Sequence, residues 1–263
     1  MPYERELEVA LDAAREAGGV LLRHYEDGTK SWEKSKGNPV TLADLESDRA
    51  IARHLRQAFP DDAILSEETL SDASRVQASR VWIVDPMDGT KEFTRKIPEF
   101  AVSIALVADG EPVVGVILNP VADVAVWAAR GGGTFRDGHP ATVSSCATLS
   151  AAVVVASRTE ISREKFAPYE GWFKEIRPLG SIAWKLACVA CGDGDLNISV
   201  APKNEWDVCA GDILVREAGG VYAAFDGSLR RYNQAKTLID AGMAAGPPGL
   251  VEQFCERERA REK

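Results

Sequence analysis

The segment Val-Trp-Ile-Val-Asp-Pro-Met-Asp-Gly-Thr at residues 81–90 constrains this chain more than any other. Its first four residues form an apolar run that predicts a buried β-strand. Pro86 fixes its own φ and favours an extended Asp85, so the chain turns sharply and Asp85 and Asp88 can face one point. We therefore expect a buried sheet in which one strand ends at a site with two acids.

The residues alone allow two interpretations of this segment. Asp, Pro and Gly are the usual residues of β-turns, which predicts a plain turn. Two converging carboxylates instead suit Mg²⁺ or Mn²⁺, which prefer oxygen ligands and often keep positions for a substrate phosphate. Gly89 and Thr90 fit the second interpretation, because a glycine lets backbone N–H groups approach an anion closely.

Two other segments place acids at the ends of predicted elements. The apolar run at residues 63–65 predicts a short strand, and Glu67 and Glu68 follow it. Residues 206–217 have apolar side chains that suit a buried helix face and are followed by two glycines, so they predict a helix with Asp207 in its first turn. Because aspartate is also a common helix cap, the role of Asp207 stays open on these residues alone.

The rest of the pattern predicts helices first, then strands, then an alternation of strands and helices. Apolar spacing predicts an amphipathic helix over residues 7–21, and Thr41-x-x-Asp44 has the pattern of a cap that opens a second helix. Strands separated by Asp-Gly turns follow from residue 100. We expect an α+β half at residues 1–140 and an α/β half at residues 141–263.

Composition excludes several classes of protein. The chain has 263 residues, of which 45% are hydrophobic and 27% charged, as is ordinary for a folded enzyme-sized chain. Its net charge of −9 disfavours a nucleic-acid or anionic-membrane surface. No apolar stretch approaches the ~20 residues of a membrane span, and the five cysteines lack a framework spacing. We expect a cytoplasmic protein.

These segments together resemble the inositol monophosphatase superfamily of metal-dependent phosphatases. The resemblance covers nearly the whole chain and is carried by Ser66-Glu67-Glu68, Asp85-Pro86-Met87-Asp88-Gly89-Thr90, Trp206-Asp207 and Glu217-Ala218-Gly219-Gly220. Further similar segments are Lys36 with Val40-Thr41-x-x-Asp44, the glycine hairpin at residues 131–133, and Gly180-Ser181. The resemblance implies an α/β fold, a layered α/β/α/β/α sandwich with the metal site where the two halves meet.

The resemblance also implies a set of metal ligands. Glu67, Asp85 and the Met87 carbonyl would hold a first ion, and Asp85, Asp88 and Asp207 would hold a second. A third, weaker ion near Glu67 is implied by several relatives, so we expect two to three Mg²⁺ per site, with Mn²⁺ as an alternative. Most ligands would lie in the first half, while the second half would supply Asp207 and the substrate side.

Catalytic and substrate-binding positions follow from the same resemblance. Asp44 and Thr90 would orient and deprotonate the attacking water beside Glu67, and the Gly89 and Thr90 N–H groups would bind the phosphate. The substrate-side candidates are Lys36, Ser181 and Lys203. Lys203 has two interpretations, because a lysine there either meets a second phosphate as a point charge or is solvated.

Fewer residues bear on the substrate. Lys91-Glu92-Phe93 resembles the 3′(2′),5′-bisphosphate nucleotidases, which remove a phosphate from adenosine 3′,5′-bisphosphate. The spacing after Gly180-Ser181 is instead typical of inositol monophosphatases, but those enzymes carry an inositol-contacting Glu seven residues before the metal-ligand aspartate, where this chain has Val200. We predict a nucleotidase. An inositol monophosphatase, a broad sugar-phosphatase and a non-catalytic phosphate-binding regulator are the alternatives.

The expected partner is a small phosphate ester, with no nucleic acid polymer and no membrane. Homodimers are common in the family that the chain resembles, so a homodimer is implied by that resemblance only.

Overall fold

The structure is a computed structural model that describes residues 2–35, 38–69 and 73–261. Lys36, which is one of the predicted substrate-side residues, lies outside the described residues. The helices within them are α1 (Glu4–Asp27), α2 (Leu42–Ala58), α3 (Thr90–Thr94), α4 (Arg158–Ser162), α5 (Ile182–Ala190), α6 (Glu205–Glu217) and α7 (Pro248–Arg261).

The strands of the described residues form two large sheets and two short pairs. The large sheet of the first half contains β3 (Ala63–Ser66), β4 (Arg80–Asp88), β5 (Ala101–Ala108), β6 (Glu111–Asn119), β7 (Val124–Ala129), β8 (Thr134–Arg136) and β9 (His139–Ala141). The second contains β10 (Val153–Ser157), β11 (Glu175–Leu179), β12 (Leu196–Ser199), β14 (Val221–Ala224) and β16 (Met243–Gly246). The short pairs are β1 (Ser31–Ser35) with β2 (Asn38–Thr41) and β13 (Lys203–Asn204) with β15 (Leu238–Ile239).

The elements stack in five layers. The first sheet has the order β3-β4-β5-β6-β7-β8-β9, and α1 and α2 cover one of its faces. Helices α5 and α6 lie between that sheet and the second sheet, whose order is β11-β10-β12-β16-β14. Helix α7 covers the outer face of the second sheet. The layered α/β/α/β/α sandwich is therefore confirmed.

Strand β4 is buried on both faces, which explains its continuous apolar run. Trp82 and Val84 pack in the core under α1 and α2, whereas Val81 and Ile83 pack in the core between the two sheets. Successive side chains of a strand point to opposite faces, so a strand covered on both sides needs apolar residues at every position. The predicted strand over residues 81–84 is confirmed, but it continues to Asp88, where a sharp turn was expected. Its last residue, Asp88, is half-buried and lines the cleft described below.

The glycine run at residues 131–133 is a turn between β7 and β8, as its composition predicts. The N–H groups of Gly131 and Gly133 donate to the Glu217 carboxylate, each at 3.0 Å. These amide groups therefore bind a helix end rather than a phosphate, and they attach the first sheet to α6.

The first large sheet ends at Ala141 and the second begins at Val153. This change of sheet falls near residue 141, where the sequence pattern changes, and the division into two halves stays a prediction. Among the described residues, no helix has the length and apolar character needed to cross a membrane.

Candidate metal and phosphate site

The end of β4 carries a bulge that changes the direction of its last residues. Asp85 pairs with Ser103 and Asp88 pairs with Ala101, so β4 has one more residue than β5 between these two pairs. Such an insertion bends a strand locally and redirects its side chains. The Met87 N–H donates to Asp85 Oδ1 at 2.9 Å, which fixes the Asp85 carboxylate inside the bend.

Three acids from distant parts of the sequence converge at this bulge. Carboxylate oxygens of Glu67, Asp85 and Asp207 lie within 4.8 Å of one another. Glu67 follows β3, and its N–H donates to the Val84 carbonyl at 3.2 Å. Asp207 also completes the capping box of α6, because one of its oxygens accepts the N–H of the N-cap residue Asn204 at 2.6 Å. The capping interpretation of Asp207 is therefore confirmed, and its role as a metal ligand stays a prediction.

Helix α2 attaches to both of the segments that carry the first-half acids. The Ser47 hydroxyl donates to the Pro86 carbonyl at 3.0 Å, within the bulge. The neighbouring Asp48 carboxylate accepts the Ser66 hydroxyl and, at 2.7 Å, the Thr69 hydroxyl. Because these bonds come from adjacent residues of one helix, they fix the positions of the Glu67 and Asp85 segments relative to each other.

Asp88 is held by the beginning of α5, in the other half of the chain. Its Oδ2 atom accepts the Ser181 hydroxyl and, at 2.6 Å, the Ala183 N–H. Ser181 also lines the cleft, so this predicted substrate-side residue lies beside a predicted metal ligand.

The acids lie close enough together that each makes ionisation of its neighbours less favourable. Burial raises the pKa of Asp85 well above its ordinary value, and the charges of Glu67, Asp88 and Asp207 raise it further. Burial and the charges of Asp88 and Glu67 likewise raise the pKa of Asp207. An oxygen-only set of converging carboxylates that resists ionisation fits Mg²⁺ or Mn²⁺, whose charge would stabilise the ionised forms.

Asp44 lies at the edge of this site and has two kinds of partner. Its Oδ2 atom accepts both the N–H and the hydroxyl of Thr41 at 2.7 Å, which completes the predicted cap of α2. Its Oδ1 atom accepts the Thr90 hydroxyl at 3.2 Å, and the same hydroxyl lies 3.3 Å from the Met87 carbonyl. Burial of Asp44, at 2% exposure, raises its pKa to about 6, and the Glu68 charge adds to that effect.

Gly89 occupies a position that only glycine suits. Its φ is +103°, and a Cβ atom there would lie 2.9 Å from the Glu99 carbonyl oxygen. The backbone therefore passes close to its neighbours and carries Gly89 and Thr90 along the wall of the cleft.

A cleft of about 420 Å³ opens from the acids toward the second half of the chain. The acids occupy one part of its lining, and cationic side chains occupy much of the rest. Those cations are Lys91, Arg163, Lys165, Lys185 and Lys203. Lys203, predicted as a substrate-side residue, lies in the cleft and forms an ion pair with Glu160 at 3.0 Å.

Several of these residues were not predicted from the sequence. Lys185 could have been identified from the sequence as a candidate site residue, because it is the charged residue within the apolar helix α5. Burial lowers its pKa to about 8 against the opposing effect of Asp88. Glu160, Arg163 and Lys165 lie on or just after the short helix α4, and no local pattern distinguishes them from ordinary surface charges.

Val200 does not line the cleft. Its side chain packs against the core of the second sheet, and its N–H donates to the Glu160 carboxylate at 3.3 Å. Val200 itself offers no polar atom on its side chain, and an acid introduced at this half-buried position would lie close to Glu160.

Comparison with known proteins agrees with this architecture. The model of the inositol monophosphatase family matches residues 3–259. Nus factor SuhB of Pasteurella multocida is 35% identical over 95% of this chain and 94% of that protein. The fructose-1,6-bisphosphatase/inositol-1-monophosphatase of Thermotoga maritima is 34% identical over 84% and 85% of the two chains. An inositol monophosphatase structure from Anabaena has a TM-score of 0.84 at 29% identity, over 99% of this chain and 97% of that one.

Proposed function

The chain belongs to the inositol monophosphatase family, whose members hydrolyse phosphoric monoesters, and from that premise we propose its substrate. We propose that it removes one phosphate from a small metabolite that carries a second phosphate, and that adenosine 3′,5′-bisphosphate is the preferred member of this class. The observation that carries the proposal is the distribution of charge in the cleft.

The charge distribution favours a substrate with more than one phosphate. Two divalent ions would neutralise the four acids at the bulge, which are Glu67, Asp85, Asp88 and Asp207. The cleft lining then retains the four cationic side chains of Lys91, Arg163, Lys165 and Lys203, besides the buried Lys185, against two acids, Glu92 and Glu160. A polyol with a single phosphate has no anionic group for this excess of positive charge, whereas a second phosphate does.

The contacts of the site support the roles that we propose for its residues. Mg²⁺ held by Glu67, Asp85, the Met87 carbonyl, Asp88 and Asp207 would acidify water and neutralise the phosphate. Asp44, through the Thr90 hydroxyl, orients the attacking water and accepts its proton. The N–H groups of Gly89 and Thr90 bind the phosphate that is removed. Phosphoryl transfer needs mainly positioning and charge stabilisation, so no covalent intermediate is required.

The Asp44 role predicts a specific pH dependence. Asp44 accepts a proton only when it is ionised, so kcat/KM should fall on an acid limb. That limb should lie at or below about 6, the pKa to which burial raises this carboxyl, because bound cations stabilise its ionised form. Thr90→Val removes the hydroxyl between Asp44 and the water and should lower kcat roughly a hundredfold, the lower range for general acid–base catalysis. A pH–rate profile at saturating Mg²⁺ measures both effects. An unchanged acid limb in Asp44→Asn would contradict this role.

Lys203 should discriminate between substrates with one and two phosphates. A charge-assisted bond contributes about 1.5–3 kcal/mol, so Lys203→Met should lower kcat/KM for adenosine 3′,5′-bisphosphate roughly ten- to a hundredfold. The same variant should change kcat/KM for inositol 1-phosphate little. Lys174→Met is the matched control, because Lys174 is exposed and does not line the cleft.

The ratio of the wild-type kcat/KM values for adenosine 3′,5′-bisphosphate and inositol 1-phosphate tests the proposed substrate itself. We expect adenosine 3′,5′-bisphosphate to exceed inositol 1-phosphate in kcat/KM. A preference for inositol 1-phosphate or fructose 1,6-bisphosphate would replace the nucleotidase assignment by the activity in the names of the Thermotoga and Anabaena relatives. The homodimer stays a prediction, which light scattering of the purified protein checks.

A further inference from the structure

We infer that Lys185 and Ser181 are positioning residues that orient Asp88 for metal binding. The inference rests on the proposal that Asp88 binds a metal ion. It assigns the Ser181 hydroxyl to the Asp88 carboxylate rather than to the substrate, and it gives a function to the buried lysine of α5.

Lys185 uses its buried ammonium for two hydrogen bonds to backbone carbonyls. Its side chain is 3% exposed, and its ammonium donates to the Ser181 carbonyl at 2.7 Å and the Leu179 carbonyl at 3.2 Å. These carbonyls lie on either side of Gly180. A buried ammonium is costly unless its donors are used, so the bonds fix this stretch of backbone to the first turn of α5.

The Lys185 bonds maintain an unusual backbone conformation at Ser181. Ser181 has a φ of +51° and a ψ of 124°, a region that residues other than glycine rarely occupy. Such a conformation is energetically unfavourable and persists only where its surroundings determine it. The preceding Gly180 is equally constrained, because its N–H donates to Glu99 at 2.7 Å and a Cβ atom would lie 2.4 Å from Glu92 Cγ.

This backbone conformation directs two hydrogen bonds at the Asp88 carboxylate. In this conformation the Ser181 hydroxyl and the Ala183 N–H converge on one atom, Asp88 Oδ2. The same hydroxyl oxygen accepts the Trp184 N–H at 2.9 Å. A serine hydroxyl has one proton to donate, and here that proton is directed at Asp88. The two bonds fix the rotation of the carboxylate and leave its Oδ1 atom outside this contact.

Removal of Lys185 should change Mg²⁺ affinity in opposite directions under the two possible roles of this residue. If Lys185 acted only as a positive charge near the ions, its removal would strengthen Mg²⁺ binding, because a repulsive charge would be lost. If it positions Asp88, its removal would weaken Mg²⁺ binding. Groups that orient metal ligands typically contribute ten- to a hundredfold in metal affinity.

The experiment compares Ser181→Gly and Lys185→Met with the wild type, using calorimetric Mg²⁺ binding to stripped protein. Glycine tolerates the positive φ, so Ser181→Gly removes the hydroxyl without adding backbone strain. We expect both variants to weaken Mg²⁺ binding roughly tenfold, with KM unchanged at saturating Mg²⁺. The double variant should lose less than the two single losses combined, because both residues act through one carboxylate. Lys165→Met, which removes an exposed cation of the cleft, should not weaken Mg²⁺ binding.

Several outcomes would overturn the inference. A higher KM in Ser181→Gly with unchanged Mg²⁺ affinity would assign the hydroxyl to the substrate. Tighter Mg²⁺ binding in Lys185→Met would mean that Lys185 acts only as a repulsive positive charge near the ions. Asp88→Asn separates the two proposals: if it leaves Mg²⁺ binding intact, the metal role of Asp88 fails. If Asp88→Asn weakens binding and the other two variants do not, only the positioning inference fails.

Discussion

Removal of divalent metal should abolish phosphate release, and Mg²⁺ should restore it. The four acids at the β4 bulge have no means of activating water or binding an anionic phosphate unless cations neutralise them. Polarisation and water activation by bound ions are worth several kcal/mol, so we expect a loss of roughly a thousandfold or more. Phosphate release from chelator-treated enzyme, before and after addition of metal, measures this effect.

Ca²⁺ is the control for the metal experiment. It binds oxygen ligands at longer distances and with looser geometry than Mg²⁺. We expect Ca²⁺ to bind without restoring turnover, whereas Mn²⁺ should restore part of it. Full turnover in the presence of chelator would contradict the proposed chemistry.

Asp85→Asn should remove activity and stabilise the metal-free protein. Asp85 is 1% exposed and lies among Glu67, Asp88 and Asp207, so its loss should lower kcat roughly a hundredfold or more, the scale for a lost electrostatic stabiliser. The raised pKa of this carboxyl means that the folded metal-free protein becomes less stable as pH rises from the ordinary carboxyl range through the raised value. Asparagine removes that cost, so its stabilising effect should grow with pH.

Denaturant unfolding of stripped protein at pH 5 and pH 8, together with kcat at saturating Mg²⁺, tests both parts of this prediction. Asp109→Asn is the matched control, because Asp109 is an exposed turn residue with a φ of +50° that asparagine tolerates. The control should leave activity and stability near those of the wild type. An active Asp85→Asn, or one destabilised most at pH 8, would mean that Asp85 has a structural role only.

Local patterns predicted the elements that carry the site. The apolar run at residues 81–84 predicts a strand because burial on both faces needs apolar residues at every position, and Thr41 with Asp44 predicts a cap because its bonds span three residues. Both are present in the structure. The layered sandwich was predicted from the family resemblance. No local sequence pattern indicates that Glu67 and Asp207, which are far apart in the sequence, lie close together in the fold.

Other parts of the site depend on packing that a single segment does not encode. The bulge at Asp85 and Asp88 depends on pairing with β5, and the burial of Lys185 depends on the backbone at residues 179–181. The contact between Ser181 and Asp88 joins the two halves of the chain, so the sequence predicted Ser181 as a site residue without predicting its partner.

Parallel titrations of Mg²⁺ binding and phosphate release show whether metal bound by the four acids produces phosphatase activity. Metal would be added stepwise to stripped wild-type protein, with binding followed by calorimetry and turnover of adenosine 3′,5′-bisphosphate followed in matched samples. We expect turnover to appear only as the acid cluster binds metal and to reach its maximum when binding of at least two ions is complete. Saturated Mg²⁺ binding without phosphate release from any phosphate ester tested would contradict it and would indicate a phosphate-binding regulator instead of an enzyme.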